Sequence, residues 1–180
     1  MRFPLAVGRE VQRAIAEHAT RPFVLGYRIS PEEPGEGALR IGDAYMLIDR
    51  LIEAGIDYIH ASLFDIPNAK PQDHTGERTT AELIAEHVAG RVPLIAAGQI
   101  RTSEQAQMAL ATGLSLVAIG QGLVLNPNWV EFARESHLAE IATVLNPPLV
   151  PQLAIPDKLW GVIKATKGWF PLVDEVEAAE

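Results

Sequence analysis

Short apolar runs alternate along this chain with longer stretches whose apolar residues recur every three to four positions. The runs Phe23–Ile29, Tyr58–Leu63, Pro93–Ala97 and Leu116–Ile119 predict four strands. Each is short and largely apolar, as in strands of a parallel sheet covered on both faces. Helical patterns separate them. Val7, Val11, Ala14 and Ile15 share one face ahead of the first strand. Ala44, Leu47, Ile48, Leu51 and Ile52 form a stripe that stops at Gly55, a residue suited to the left-handed cap of a helix. Leu83, Ile84 and Val88 lead to Gly90. Thr102 with Gln105 three residues on has capping-box spacing, and the helix it opens turns Ala106, Ala109 and Leu110 inward before Gly113.

Strands alternating with helices imply parallel pairing through right-handed crossovers, so the fold class is α/β. Two long connections rich in Pro, Gly and charge, Ser30–Arg40 and Phe64–Arg78, follow strands. Loops at the C-terminal ends of strands carry the ligand contacts of such folds. After Asn146 the pattern changes. Pro147, Pro148, Pro151 and Pro156 mark an irregular connection, then come a short helical stretch at Leu159–Ala165 and the pair Trp169-Phe170. The expected organisation is a β/α domain over residues 1–145 and a Pro-rich tail with a short helix over residues 146–180. Four strands are too few for a closed eight-stranded barrel, which takes roughly 250 residues. The alternatives are a small open sheet and half of a barrel.

Composition narrows the function. About half of the 180 residues are hydrophobic, enough for a core. A net charge of −8 without any basic block argues against nucleic acid or an anionic membrane as partner. No apolar run has the length of a membrane span, and Met1-Arg2-Phe3-Pro4 lacks the apolar core of a signal peptide, so a cytoplasmic protein is expected. The absence of cysteine removes disulfides, thiolate nucleophiles and iron–sulfur ligation from this chain. His18, His74, His87 and His137 show no metal-ligand spacing, so no metal site is expected.

Two segments have the form of phosphate sites: Ala96-Ala97-Gly98-Gln99-Ile100 and Ala118-Ile119-Gly120-Gln121-Gly122. In each, a strand runs into glycine and then a helical turn. Glycine lets backbone N–H groups approach an anion, and a helix N-terminus adds unpaired donors and a favourable dipole. The other reading is that Gly98 and Gly120 serve only tight strand-to-helix turns. Arg28 lies near the end of the first strand, where a guanidinium is costly unless paired or bound to an anionic or electron-rich group. Spacing alone favours a salt bridge with Glu32, Glu33 or Asp65 over a ligand contact. His60 reads as a hydrogen-bonded core or rim residue, and Asp65, Asp73 and Glu77 as solvated loop carboxylates.

The segments Arg2-Phe3-Pro4-Leu5, Gly26-Tyr27-Arg28-Ile29-Ser30-Pro31-Glu32-Glu33, Ala54-Gly55-Ile56-Asp57-Tyr58-Ile59, Pro93-Leu94-Ile95-Ala96-Ala97-Gly98-Gln99-Ile100, Leu116-Val117-Ala118-Ile119-Gly120-Gln121 and Asn126-Pro127-Asn128-Trp129 resemble, in this order, the old yellow enzyme family of FMN-dependent NAD(P)H oxidoreductases. The resemblance runs from Arg2 to Phe132, with a looser echo near Trp169. It implies half (four βα units) of a TIM (β/α)8 barrel, with FMN bound at the C-terminal ends of the strands. It matches Arg28 to the arginine at the flavin pyrimidine edge, Gly98 and Gln99 to the first phosphate turn, and Gly120 and Gln121 to the second. Two departures stand out: Gln99 where the family often has a second glycine, and Gln121 where it usually has arginine. Arg101 could supply the missing charge, but as a residue at the start of a helix it reads first as solvated.

The resemblance also implies that the substrate-anchoring pair and the proton-donating tyrosine belong to the first half of the barrel. The chain begins where that half would end, so Met1 reads as an internal methionine of a longer protein or as an added start, and no catalytic residue is expected here. The whole enzyme would pass hydride from NAD(P)H through FMN to a small-molecule acceptor such as an activated alkene. A half-barrel leaves two sheet edges and an apolar inner face in water. The expected partner is therefore the N-terminal half of the barrel or a second copy of the chain, unless the tail covers the gap. Two other readings remain. A non-catalytic half-barrel binding or assembly module would keep the sheet without turnover. A phosphate-binding barrel lyase or isomerase would want a Schiff-base lysine or a carboxylate at a strand end, whereas Lys70, Lys158, Lys164 and Lys167 all lie outside the strands.

Overall fold

The structure, a computed structural model, describes residues 2–72, 75–135 and 137–173. Asp73 and His74, two of the residues weighed above, lie outside these. The chain divides into two compact units, one made of the residues up to Gly98 with Gln107–Ala118, the other of Gln99–Ala106 with the residues from Ile119 onward.

The first unit holds the sheet. Strands β1 (Gly26–Ile29), β2 (Tyr58–Ser62), β3 (Leu94–Ala97) and β4 (Leu116–Ala118) are parallel and lie in chain order, β1-β2-β3-β4. Right-handed crossovers between neighbours that follow in sequence put every connecting helix on the same face. This is the arrangement of half of a (β/α)8 barrel. Helices α1 (Arg2–His18), α2 (Ile41–Glu53) and α3 (Thr80–Val88) belong to this unit, and α4 (Ser103–Ala111) ends in it. Their inward stripes explain the core: Ala44, Ile48 and Leu51 of α2 and Leu83, Ile84 and Val88 of α3 are buried, as are Ile29, Ile59, Ala61, Leu94 and Ala96 of the sheet. Each large aliphatic among them contributes roughly 1.5–3 kcal/mol by leaving water.

Local signals fix the ends. Gly55 takes φ +82° beyond α2, the left-handed cap expected of it. Thr79 and Glu82 form a reciprocal box at the start of α3: Thr79 N–H donates to Glu82 Oε2 at 2.7 Å and Glu82 N–H to Thr79 Oγ1 at 3.3 Å. The Thr79-x-x-Glu82 spacing that announces it is plain in the sequence. Gly26 is needed for packing, because a Cβ there would fall 1.9 Å from Cζ of the Tyr58 ring.

Three expectations change. The first strand starts at Gly26, not Phe23. Upstream of Leu25, whose N–H donates to Asp57 Oδ2 at 2.6 Å, the neighbouring chain is already turning out of α2, so Phe23 and Val24 have no ladder to join and are exposed. Leu110 of α4 faces water rather than the core; Ala106 and Ala109 carry its buried face. The stripe on α1 is largely unburied, for Val7, Val11 and Phe3 are exposed, and Gln12 meets the carbonyl of Ala54 through a 2.6 Å polar contact.

The second unit contains the first turn of α4, then α5 (Gln121–Leu125), α6 (Trp129–Arg134), 3-10 turns at Leu138–Glu140 and Pro147–Leu153, and α7 (Asp157–Ala165). Leu125, Leu145, Val150, Ile163 and Phe170 form its buried cluster. Asn126 is buried and satisfied: its amide donates to Ala142 O at 2.8 Å and accepts from Ala142 N–H at 2.7 Å. The Asn-Pro-Asn-Trp segment thus anchors the chain around residue 142. Trp169 and Phe170 meet edge to face, with centroids 5.0 Å apart.

Candidate functional site

The two faces of the sheet differ in chemistry. Registered residues of parallel strands point to the same side, so Arg28, His60, Ile95 and Leu116 share one face. Ile29, Ala61 and Ala96 share the other and are buried. The first row stays open: Leu116 is 57% exposed, Arg28 is exposed, and His60 and Ile95 are half-buried. The expectation of strands covered on both faces therefore holds for one face only.

Arg28 does not make the expected salt bridge. Its Nη2 donates to Ser62 Oγ at 2.7 Å, and among the described residues it has no carboxylate partner. The three acids are occupied otherwise or turned away. The Glu32 carboxylate accepts from Gln72 N–H at 3.1 Å, and Asp65 Oδ1 accepts from Asn68 N–H at 3.1 Å. Among the described residues Glu33 bonds only through its backbone: its carbonyl accepts from Gln72 and Arg40, and its N–H donates to Leu39 O. Ser62 lies two residues beyond His60 toward the C-terminal end of β2 and is registered with Ala97, the residue before Gly98. The serine thus draws the guanidinium along the open face toward the rim where the strands end. His60 differs from expectation too. Its Nε2 is buried and has no hydrogen-bond partner among the described residues. Burial, and then the positive charge of Arg28, hold its pKa below the ordinary value of 6.5. Sequence reasoning passed over Ser62. The signal was present: Tyr58, His60 and Ser62 alternate with the apolar Ile59 and Ala61, so the second strand has one polar face.

The two long loops meet at this rim of the first unit. Gln72 N–H bonds to Glu32, and the Gln72 side chain donates to Glu33 O at 3.3 Å. Between the loops lies an open cleft of about 310 Å³, lined by Pro31, Glu32, Ser62, Phe64, Lys70 and Gln72 among others. Glu77 holds a 2.7 Å bond from Lys70 and is otherwise solvated, as expected of it. Among the described residues no group of three His, Asp or Glu side chains could hold a metal ion.

Gly98 ends β3 against the loop that follows β2. A Cβ there would lie 2.8 Å from Leu63 O and 3.2 Å from Ile66 N. Glycine is required by that close approach of backbone, whatever else it does. Gln99, next in the chain, adopts φ +54°. That left-handed conformation favours glycine, which gives a physical reason for the glycine often found there in the family.

In the second unit, Arg101 departs from its expected solvated state. It is half-buried, and its Nη2 donates to Gln99 Oε1 at 2.8 Å and to Gln121 Oε1 at 3.4 Å. Its Nε is buried without a partner among the described residues. The carbonyl of Arg101 accepts from Trp129 Nε1 at 2.6 Å, which pins the backbone. The start of α4 is not the set of free donors expected. Gln105 Oε1 accepts from Arg101 N–H at 2.8 Å and Thr102 N–H at 3.1 Å, while Thr102 Oγ1 accepts from Gln105 N–H at 3.2 Å. The capping box read from the sequence is present, and it uses those donors itself. Gly120 is unlike Gly98: among the described residues nothing lies within 4 Å of the position of a Cβ, and its φ is an ordinary −104°. The closely packed glycine here is Gly122, whose Cβ would meet Ile119 Cγ2 at 2.8 Å and Ile100 O at 3.2 Å. Gln121 Nε2 donates to the carbonyl of Trp169.

Comparison with known proteins accords with this geometry. A family model described as the NADH:flavin oxidoreductase / NADH oxidase family matches residues 1–140. The probable NADH-dependent flavin oxidoreductase YqiG of Bacillus subtilis (strain 168) is 37% identical over 172 residues, which cover 96% of this chain and 46% of that protein. The NADH:acrylate oxidoreductase of Vibrio harveyi is 30% identical over 89% of this chain and 16% of its own length. The NADH:fumarate oxidoreductase of Klebsiella pneumoniae (strain 342) is 28% identical over 88% and 17%. The chain therefore spans about half the length of the first relative and a much smaller share of the other two. With that family model matched over most of its length and the half-barrel sheet in place, the chain belongs to the NADH:flavin oxidoreductase / NADH oxidase family.

Proposed function

We infer that this chain supplies the C-terminal half of an FMN cradle in an NADH-dependent flavin oxidoreductase. The observation that carries the reading is the state of Arg28: a guanidinium on the open sheet face, oriented by Ser62 and lacking a carboxylate among the described residues. A cation so placed has its charge available for an electron-rich ligand edge. Arg28 would contact the flavin pyrimidine edge and favour negative charge there. His60 beside it, held neutral at neutral pH by burial, adds no second cation. Gly98, Gln99, Gly120 and Gln121 would serve the phosphate through backbone N–H groups. The space at the Cβ position of Gly120 fits such a role, since among the described residues nothing lies within 4 Å of it. FMN, when bound, supplies the capacity to take hydride from NADH and hand it to an acceptor.

Acrylate and fumarate oxidoreductases among the relatives suggest a small activated alkene as that acceptor. This chain assigns itself no catalytic acid. The groups that anchor and protonate the acceptor would come from the other half of the barrel, for which the open face with Leu116, and the 46% share of the Bacillus relative, leave room. The N-terminal half is thus the proposed partner, and a second copy of this chain the alternative. Among the described residues no helix is long and apolar enough to cross a membrane; the reading includes a cytoplasmic location, where NADH is a common reductant.

The test is direct. The purified chain is mixed with FMN and passed through a desalting column, alone and with the N-terminal half added. Protein that elutes yellow and is bleached by NADH without oxygen supports the reading. Folded, colourless protein in both cases favours a half-barrel module without turnover.

A further inference from the structure

Arg101 is an unusual cation. It sits half-buried in a chain of net charge −8, yet among the described residues it has no carboxylate partner. Its hydrogen-bond partners are the neutral amide oxygens of Gln99 and Gln121, both on Nη2. Nε is sealed from water, and neither it nor Nη1 has a hydrogen-bond partner among the described residues. Withdrawing donors of a charged group from water without a partner is costly. The residue is held in place nonetheless, by Trp129 on its carbonyl and Gln105 on its N–H. The two glutamines that hold the guanidinium flank the glycine turns: Gln99 in left-handed conformation after Gly98, Gln121 directly after Gly120, where the space for a Cβ is empty. A fixed, half-buried guanidinium with no carboxylate partner among the described residues, held by the side chain that follows Gly120, is suited to an anion with several acceptor oxygens.

We propose that Arg101 is the phosphate-binding cation of this chain, taking the phosphate monoester of the flavin nucleotide on the unpartnered N–H groups of Nη1 while Gln99 and Gln121 hold the guanidinium in place through Nη2. The proposal rests on the flavin reading for the identity of the ligand. It assigns to Arg101 the charge that Gln121, a neutral residue, does not provide. Gln99 and Gln121 are positioning residues.

The full chain is titrated with FMN and, separately, with riboflavin, which lacks the phosphate; binding is followed by the change in flavin fluorescence. Arg101→Gln is expected to weaken FMN binding about tenfold or more, as for a lost charge-assisted bond, and to leave riboflavin binding unchanged. Equal loss for both flavins would assign Arg101 a purely structural role and overturn the proposal. Unchanged FMN affinity would overturn it as well, and either result leaves the flavin reading intact. The double variant Arg101→Gln/Gln121→Arg returns a cation to the turn and is expected to recover FMN affinity; failure to recover it counts against the proposal. Should Arg101→Gln not fold, Arg101→Lys replaces it, with a several-fold loss confined to FMN expected and no loss overturning the idea. If the unmodified chain binds neither flavin, alone or with the N-terminal half of the barrel added, the flavin reading fails, and the site is judged with inorganic phosphate alone. A thermal midpoint raised by phosphate in the unmodified chain and not in the variant supports an anion site at Arg101. An equal rise in both, or none, rejects it.

Discussion

The two glycine turns look alike in sequence and differ in what makes them glycine. At Gly98 the reason is internal: Leu63 O and Ile66 N approach so closely that any side chain collides with backbone. At Gly120 no such contact exists among the described residues: nothing lies within 4 Å of a Cβ there, and φ is ordinary. A glycine that packing requires says little about ligands. A glycine that nothing inside the protein requires is the better marker of something that binds.

The comparison breaks most easily at Gly98. Gly98→Ala should cost about 3 kcal/mol in urea unfolding, because backbone must yield to admit the methyl group. A loss below about 0.5 kcal/mol, the range of a neutral surface change, would mean the turn relaxes freely and the contrast is lost. Gly122→Ala comes next. Its nearest clash is with the Cγ2 methyl of Ile119, a side-chain rather than a backbone atom, so a loss of about 1–2 kcal/mol is expected in the same assay. Gly120→Ala should leave the unfolding midpoint within about 0.5 kcal/mol of the unmodified protein while lowering FMN affinity. Stability and affinity both unchanged would strip this glycine of a ligand role.

The sheet that carries the first turn has an acid response of its own. Folding holds His60 below its ordinary pKa of 6.5. On acidification the unfolded chain therefore takes the proton first. The resulting penalty is absent well above pH 6.5 and grows as pH falls through that value toward the lower folded pKa. His60→Gln should flatten this part of the stability profile. A profile of unchanged slope in the variant would show that His60 does not titrate as its surroundings imply.

Much of the sheet was legible because its signals are local and redundant. Buried runs, caps such as Gly55 and the Thr102–Gln105 box, and stripes on α2 and α3 all point to the same elements. The start of β1 was not legible, because pairing depends on where a distant segment, Asp57-Tyr58, begins its strand. The site residues fared by the same rule. Arg28 and the glycines stood out by residue type, but whether the arginine meets an acid or Ser62 is decided by strand register. Arg101 looked like any residue before a helix. Only its distances to Gln99 and Gln121, one of them twenty residues away, distinguish it.

The central claim is that Arg28 faces the flavin. It is tested most directly by the affinity and midpoint potential of bound FMN in the protein and in Arg28→Gln, with the N-terminal half of the barrel present in both. Loss of a charge-assisted contact should weaken FMN binding about tenfold or more and lower the potential, because the reduced flavin loses its neighbouring positive charge. FMN bound with the same affinity and the same potential in both proteins would contradict the account.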